Sequence, residues 1–445
     1  MTVRMARYWN SPGDAMRERV IRMNVQTRRL FAVFGALLMA QSVQAAPDSP
    51  WAATWGTALV DPGSSNYPDL TQETLRMVAH TSVGGPQVRI WLSNRFGTVP
   101  LRIGAAHVAM SADANPGGAG TDVSAIRPET DRALTFDHRS VVVIAPGSII
   151  VSDPVALNVD ALSDLAVSLY FPERTLGNTI HGGANQTSYA IPGNVVDVSS
   201  MPTRAWTRGS WYFLADVDVY APGASAVVAY GDSITDGNHS TTNANHRWPD
   251  YLAARLAADP VTQKAGILGV VNTGISGNRV LLEGDGPSAM ARLEWDVLSR
   301  SGVRYLILFH GINDIEYVAR FRQPYNDLVQ GIEAGLTQIA TQAHDHGIRV
   351  IGATQMTDCR PPQCAWPEQE AARTSLNQWI RTTDVFDGVI DFDPTTHDPA
   401  NPTRMRQDYN SGDYVHPNDT GYTAMANAID LKAFIKPVGK KDSLH

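Results

Sequence analysis

The feature that most constrains this chain is a series of five short apolar segments after about residue 224, which alternate with helical stretches. The segments are rich in Val, Ile and Leu and cover 226–230, 268–272, 305–310, 349–354 and 385–391. The apolar periodicity expected of helices occurs at 248–258, 327–344, 368–381 and 419–435. Apolar strands separated by helices predict a parallel sheet covered on both faces, with its functional site at the carboxyl ends of the strands.

The preceding part of the chain has a different pattern. Residues 88–92 and 165–170 alternate with the period of two of a half-buried strand. Two apolar runs, 141–144 and 148–151, flank Ala145-Pro146-Gly147, which indicates a short hairpin connection. We therefore predict a β-sandwich or jelly roll at 46–222, followed by an α/β domain at 223–437 and a solvated tail at 438–445.

The first 45 residues have the three parts of a bacterial export signal. Arg28 and Arg29 precede an apolar run at 30–40, and small residues around Ala45 supply a cleavage site. Paired arginines are also typical of twin-arginine export, and the apolar run is too short to span a bilayer. We predict cleavage near Ala45, a secreted or periplasmic protein and no stable membrane anchor. The alternative is a buried or amphipathic N-terminal helix.

Charge and motifs exclude several classes of function. With 36 Lys and Arg against 44 Asp and Glu, the net charge is −8. The chain therefore lacks the excess positive charge that binding a nucleic-acid backbone requires. The sequence contains neither a P-loop nor a His-Glu-x-x-His motif, and the Gly-x-Ser-x-Gly elbow of α/β-hydrolases is absent. We expect no nucleic-acid partner, no metal and no cofactor, and the oligomeric state stays open.

Four polar blocks follow predicted strands or precede the last helix, at 230–237, 272–278, 311–314 and 413–417. Ser233 in the first block is flanked by glycines, so a tight turn can hold its hydroxyl outward. A serine hydroxyl needs a base, which His416 can provide, and Asp413 can hold the other ring nitrogen. Acyl transfer also needs donors for an oxyanion, and a glycine N–H of the second block and the Asn313 amide are suitable groups.

In their order and spacing, these blocks resemble the SGNH (GDSL) hydrolase superfamily over about residues 224–436, with Gly-Asp-Ser-Ile in place of the commoner Gly-Asp-Ser-Leu. The resemblance implies a catalytic triad of Ser233, Asp413 and His416. It implies an oxyanion hole formed by the N–H of Ser233, Gly277 and Asn313. It also implies a flavodoxin-like three-layer α/β/α domain with strand order 2-1-3-4-5 and no metal.

The chain is also similar to a bacterial subgroup that resembles a rumen xylan-associated arylesterase/acylhydrolase. The similarity lies in the β-rich first half and in the sequence segments 247–250, 274–279 and 311–315. This similarity implies an exported serine esterase that cleaves short acyl groups, chiefly acetyl, from small-molecule or plant cell-wall polysaccharide esters. The alternatives are an O-acyltransferase to a sugar hydroxyl, a lipase or arylesterase on small or lipid esters, and a carbohydrate-binding protein that retains the fold.

Several assignments stay open at this point. Gly274 rivals Gly277 as a donor, and Asp391, Asp393 and Asp408 rival Asp413 as the triad acid. The acidic cluster at 391–398, with its histidine, is either a metal site or, as we favour, a polar loop.

Cys359 and Cys364 are predicted to form a small-loop disulfide in an exported protein, with free thiols as the alternative. Three aromatic residues either fill a core or line a sugar-binding face, namely Trp206, Trp211 and Tyr212.

Overall fold

The computed structural model describes residues 49–112, 123–321, 324–359 and 366–435, without the side chains of 318–321. From Ser49 onward, the described residues form one compact unit. The export signal predicted at 1–45 and the tail predicted at 438–445 lie outside the described residues. Within the described part of the chain, no helix has the length and apolar character that crossing a bilayer requires.

The first half consists of antiparallel strands that form two main sheets. Its strands are β1 (Trp51–Gly56), β2 (Glu73–His80), β3 (Gly85–Ser93), β4 (Leu101–Ile103), β5 (Ala105–Met110), β6 (Arg132–Ala133), β7 (Val142–Ile144), β8 (Ile149–Val151), β9 (Val155–Val159), β10 (Asp164–Tyr170), β11 (Ile180–His181), β12 (Ser188–Pro192), β13 (Trp206–Arg208), β14 (Trp211–Tyr212) and β15 (Leu214–Tyr220). One sheet has the order β1-β15-β3-β8, with β9 also on β3, and the other has the order β13-β12-β2-β10-β5-β6.

Side chains from both sheets meet in one apolar core. Val88, Ile90 and Leu92 of β3 are fully buried, as their alternation predicts, and they share the core with Leu75 and Met77 of β2. The predicted β-sandwich is confirmed. The hairpin predicted around Ala145-Pro146-Gly147 is wrong, because β7 pairs with β4 and β8 pairs with β3.

The second half is built on a five-stranded parallel sheet of order β17-β16-β18-β19-β20. Its strands are β16 (Ser225–Gly231), β17 (Leu268–Asn272), β18 (Val303–Phe309), β19 (Arg349–Ala353) and β20 (Gly388–Ile390), and a small antiparallel pair follows, β21 (His397–Asp398) and β22 (Asn401–Met405). In chain order the sheet reads 2-1-3-4-5, so the predicted topology is confirmed.

Helices cover both faces of this sheet. They are α1 (Ser233–Asp236), α2 (Trp248–Ala258), α3 (Pro260–Ala265), α4 (Ala289–Leu293), α5 (Ile312–Phe321), α6 (Tyr325–Asp345), α7 (Pro367–Thr382), α8 (Phe392–Thr396) and α9 (Asp419–Ala428). Val228 and Leu306 face a core completed by α6 and α7, whereas Val227 and Ile307 face a core completed by α2 and α9. Alternate residues of each strand therefore enter opposite layers, which gives the predicted three-layer arrangement.

The two halves meet through a polar and tightly packed interface. The Ala53 N–H of β1 donates to the Ser301 carbonyl at 2.9 Å, and the Val270 N–H of β17 donates to the Ser82 hydroxyl at 2.8 Å. The guanidinium of Arg300 reaches Asp216 at 3.0 Å and the Thr57 carbonyl at 2.8 Å. Arg300 is buried there, so its cation is part of the packed interface between the β-sandwich and the α/β domain.

Candidate active site

Ser233 is the first residue of α1 and follows the tight turn at the end of β16. The Asp232 carboxylate caps the helix by accepting the Ile234 N–H at 3.0 Å. Any side chain at Gly231 would collide with Thr235, and Gly237 ends the helix with φ of +93°. Only glycine suits both positions, so the sequence around Ser233 fixes its hydroxyl at the carboxyl end of the first strand.

The structure brings together three predicted site residues that are far apart in the chain. The Ser233 Oγ lies 2.8 Å from the His416 Nε2, and the His416 Nδ1 lies 2.5 Å from the Asp413 Oδ2. An imidazole held between a hydroxyl and a carboxylate can accept the hydroxyl proton and stay correctly oriented while it does so.

Asp413 is kept ionised by its surroundings. Burial raises the pKa of its carboxyl, but the hydrogen bond from the His416 ring and the N–H groups of His416 and Val415 outweigh burial and hold this pKa well below its ordinary value. A permanent carboxylate favours the tautomer of His416 that leaves Nε2 free to accept a proton.

The rival acids are engaged elsewhere. Asp391 pairs with Arg381 at 2.8 Å and Asp408 with Arg406 at 2.8 Å. Asp393 pairs with Arg373 at 2.8 Å, so both Asp391 and Asp393 are held in ion pairs with arginines.

The candidate oxyanion donors converge on the same place. Gly277 adopts φ of +75° in the turn after β17, and Asn313 lies in the first turn of α5. The Asn313 Nδ2 donates to the Asn278 carbonyl at 3.0 Å, which uses one of its two amide hydrogens. Gly274, the rival donor, lies against the backbone of Asp236, where it allows close packing.

Ser233, His416, Gly277 and Asn313 line a single cavity of about 240 Å³. Its other walls carry many charged or polar side chains, which are Asn238, Ser276, Arg279, Asp285, Glu316, Tyr317 and Asp358. The Arg279 guanidinium lies 3.8 Å from the centre of the Tyr317 ring. The cavity is therefore small, and its walls are largely polar.

Sequence reasoning missed His239. Its Nε2 lies 3.3 Å from the Asp413 Oδ2, and its ring lies beside that of His416 with centroids 5.4 Å apart. Among the described residues, these three side chains form the grouping that could hold a metal ion. Both ring nitrogens of His416 are already hydrogen-bonded, one to Ser233 and the other to Asp413.

Sequence reasoning also missed Arg292, which is buried beneath the site. Its guanidinium donates three hydrogen bonds. Nη2 donates to the Gly231 carbonyl at 2.9 Å, Nη1 to the Thr273 carbonyl at 2.7 Å, and Nε to the Asn278 Oδ1 at 3.0 Å. It therefore ties the serine turn to the turn that carries Gly277. In the sequence, Arg292 and Asp296 are spaced like an ordinary surface ion pair, so no local signal identifies this role.

The remaining predictions concern residues outside the cavity. Trp211 and Tyr212 are buried in the β-sandwich, and Trp206 packs against that core and donates to Glu73, so these aromatic residues belong to the core and its edge. Cys359 is buried, but Cys364 lies outside the described residues, so the disulfide stays a prediction.

The fold and the site together define a carboxylic ester hydrolase of the SGNH (GDSL) class. Residues 229–424 match the model of the GDSL-like lipase/acylhydrolase family, and they include all four polar blocks. This match assigns a GDSL-like lipase/acylhydrolase domain to residues 229–424.

No curated protein matches this chain. Among solved structures, acetyl xylan esterase AlAXEase is 19% identical with a TM-score of 0.35, covering 46% of this chain and 96% of that one. A carbohydrate acetylesterase family member from Sinorhizobium meliloti is 18% identical with a TM-score of 0.36, covering 47% and 99%. A member of the lipolytic protein G-D-S-L family from Veillonella parvula DSM 2008 is 21% identical with a TM-score of 0.35, covering 46% and 96%.

Proposed function

We propose that this protein is an exported serine esterase that removes short acyl groups, chiefly acetyl, from esters of polar alcohols. The observation that carries the proposal is the continuous hydrogen-bonded series Ser233–His416–Asp413 at the wall of the cavity. The match of residues 229–424 to the GDSL-like lipase/acylhydrolase family supports ester hydrolysis as the reaction.

In the acylation step, the Ser233 Oγ attacks the ester carbonyl carbon while its proton passes to the His416 Nε2. The carbonyl electron pair moves onto oxygen, where the N–H groups of Ser233 and Gly277 and the amide of Asn313 stabilise the negative charge. The tetrahedral intermediate collapses, the bond to the alcohol oxygen breaks, and His416 returns the proton to the leaving alcohol.

In the second step, water attacks the acyl-enzyme and His416 takes the proton of this water. In the collapse of the second intermediate, the bond between the acyl carbon and the Ser233 Oγ breaks, the carboxylic acid leaves, and His416 returns its proton to the Ser233 Oγ. Asp413 stays ionised throughout and stabilises the imidazolium that forms twice in each cycle.

The lining of the cavity supports the substrate class. A long acyl chain needs a continuous apolar wall, whereas Arg279, Asp285 and Glu316 bring charge close to the site. Esters of sugars and other polar alcohols can form hydrogen bonds with such walls. Acetylated small molecules and plant cell-wall polysaccharides, the substrates implied by the subgroup resemblance, are of this kind.

The polar walls also favour a second candidate, in which a sugar hydroxyl attacks the acyl-enzyme in place of water. The first half-reaction is then identical. The two functions differ in the product, since transfer gives an acylated sugar and hydrolysis gives a free acid.

The test is Ser233→Ala. With p-nitrophenyl acetate we expect kcat/KM to fall by about four orders of magnitude, because the attacking atom is removed. Ser299→Ala is the matched control, since Ser299 directly follows the π-helical turn Glu294–Leu298 and, among the described residues, its hydroxyl bonds only to the Trp295 carbonyl at 3.0 Å. A fluorophosphonate should label the wild type at Ser233 and leave Ser233→Ala unlabelled.

Substrate choice is measured on acetyl, butyryl and octanoyl esters, on acetylated xylan, and with a sugar acceptor present. We expect the acetyl ester to be preferred and free acid to be the main product. Turnover by Ser233→Ala within tenfold of the wild type would remove the serine mechanism. A folded wild type that resists labelling and turns over none of these esters would favour a binding protein.

A further inference from the structure

The β-sandwich places a buried imidazole against the helix that carries the nucleophile. The Nε2 of His181, the last residue of β11, lies 2.8 Å from the Oδ1 of Asp236, the last residue of α1. Both side chains are about 95% buried. This contact crosses from one half of the molecule to the other.

The second carboxylate oxygen of Asp236 points to the oxyanion turn. Its Oδ2 accepts the Ser276 hydroxyl at 2.9 Å and the Ser276 N–H at 3.2 Å. Ser276 is followed directly by Gly277, one of the candidate oxyanion donors. A series of hydrogen bonds therefore connects His181 to the residue that precedes the donor.

The partners of His181 define its charge. Its Nδ1 lies 2.8 Å from the Ala58 carbonyl, which only accepts, and its Nε2 faces a carboxylate. A carbonyl oxygen and a carboxylate both accept hydrogen bonds, so these two partners favour a proton on each ring nitrogen, and we assign His181 as an imidazolium paired with Asp236.

The electrostatic surroundings agree with this assignment. Burial lowers the pKa of His181 and the nearby Arg247 lowers it as well, but the charge and hydrogen bond of Asp236 outweigh both, so this pKa is raised. His80 and Asp250 also line the small cavity beside the pair.

Two glycines pack Asp236 tightly from opposite sides. A Cβ at Gly183, two residues after His181, would lie 2.6 Å from the Asp236 Oδ2. A Cβ at Gly274, in the oxyanion block, would collide with the Asp236 backbone. Since neither neighbour leaves space, Asp236 has little freedom to move apart from them.

We infer that the β-sandwich is a working part of the active site, in which His181 is a positioning residue that acts through Asp236 and Ser276 to hold the Gly277 N–H against the oxyanion. This inference rests on the proposed function. Without the imidazolium, Asp236 is a buried carboxylate that lacks its cation, and its hold on Ser276 weakens. Because the oxyanion exists only after attack, the loss falls on kcat and not on KM.

The experiment begins with His181→Gln in the full-length protein, measured with p-nitrophenyl acetate. We expect kcat to fall about tenfold or more, with KM within about twofold of the wild type. Ser276→Ala interrupts the same series at its other end. Because both changes act on one connection, the double variant should lose little more than the more damaged single variant.

Gly183→Ala provides a second route that keeps His181, since its new methyl group presses on the Asp236 carboxylate. Its matched control is the neighbouring Gly182→Ala, where a Cβ would meet no atom within 4 Å. Ser301→Ala removes interface contacts to Asp218 and Arg89 at the opposite end of the sheet. We expect it to lower the melting temperature and leave kcat within twofold.

The inference is overturned if folded His181→Gln or Gly183→Ala keeps kcat within twofold, or if the losses of His181→Gln and Ser276→Ala multiply in the double variant. If His181→Gln shows no cooperative unfolding transition, Gly183→Ala against Gly182→Ala decides. Ser233→Ala is measured alongside. Activity in that variant would contradict the proposed function itself, whereas an inactive Ser233→Ala beside a fully active His181→Gln would contradict only this inference.

Discussion

At the scale of single residues, the carboxyl group of Asp232 has an unusual environment directly beside the nucleophile. It is fully buried, its Oδ1 accepts the Ile234 N–H, and its Oδ2 has no hydrogen-bond partner among the described residues. Burial raises the pKa of Asp232 to about 7, although the Ile234 N–H and the charge of His416 oppose the rise. The native state therefore binds this proton more tightly than the unfolded chain does.

We predict that Asp232→Asn changes how stability depends on pH. Because the folded-state pKa of Asp232 lies above its unfolded value, its contribution to the free energy of unfolding is fully present below about pH 4. That contribution is lost as the pH rises to about 7. The whole effect is on the order of 4 kcal/mol, and an amide that cannot ionise removes it. The measurement is the melting temperature of both proteins from pH 4 to pH 8.

The melting temperature of the wild type should fall relative to that of Asp232→Asn as the pH rises. Asp314, whose pKa burial raises to about 6, is present in both proteins and adds the same background to each. Parallel curves for the two proteins would contradict the assignment of a buried proton to Asp232.

Residues differ in how far the sequence alone could reveal them. Ser233, Asp413 and His416 lie in short blocks whose residue types already indicate acyl transfer. His181 and Arg292 lie in unremarkable segments, and their partners are distant in the chain or are backbone carbonyls. A single sequence contains no signal for such contacts, because they exist only once the sheet and the sandwich have packed.

At the scale of elements, strand and helix positions were predicted best where periodicity is strong. The helix predicted at 327–344 is α6, Tyr325–Asp345. The helix predicted at 419–435 is shorter, because α9 ends at Ala428 and Asp430 then caps a separate 3-10 turn, Leu431–Phe434. The failed hairpin between β7 and β8 shows the limit, since pairing there is decided by strands far away in sequence.

We predict that Gly274→Ala damages the turn after β17. The new methyl group would meet the backbone of Asp236, which cannot move like a flexible side chain, so the turn itself must shift. Stability should fall by about 1–3 kcal/mol, and kcat should fall about tenfold because Gly277, the proposed oxyanion donor, moves with the turn.

Gly388→Ala, at the first residue of β20, is the matched control, because a Cβ there has no neighbour within 4 Å. Denaturant unfolding and steady-state kinetics check both variants. Equal stability and equal kcat for Gly274→Ala and Gly388→Ala would show that the turn after β17 tolerates the extra group.

At the scale of the whole molecule, Arg300 is the main polar connection between the two halves. It donates to the Ala215 and Thr57 carbonyls at 2.8 Å and pairs with Asp216 at 3.0 Å. We predict that Arg300→Ala destabilises the protein by about 3–5 kcal/mol, since it leaves the buried Asp216 side chain without its cation.

Thermal unfolding followed by calorimetry checks this prediction. Arg406→Ala, which removes an exposed pair with Asp408, serves as the control and should leave the melting temperature unchanged. A melting temperature of Arg300→Ala equal to that of the control would mean that the interface does not depend on this cation.

The close contact between Gly183 and the Asp236 carboxylate has a practical consequence for anyone who wishes to shorten this enzyme. An engineer who deletes the first half removes the only described cation that touches the Asp236 carboxylate and uncovers its buried surface at the same time. A shortened version would need a substitute positive group on the remaining scaffold, together with a replacement for the lost cover. Miniaturisation is therefore a redesign of the catalytic pocket and cannot be done by simple truncation.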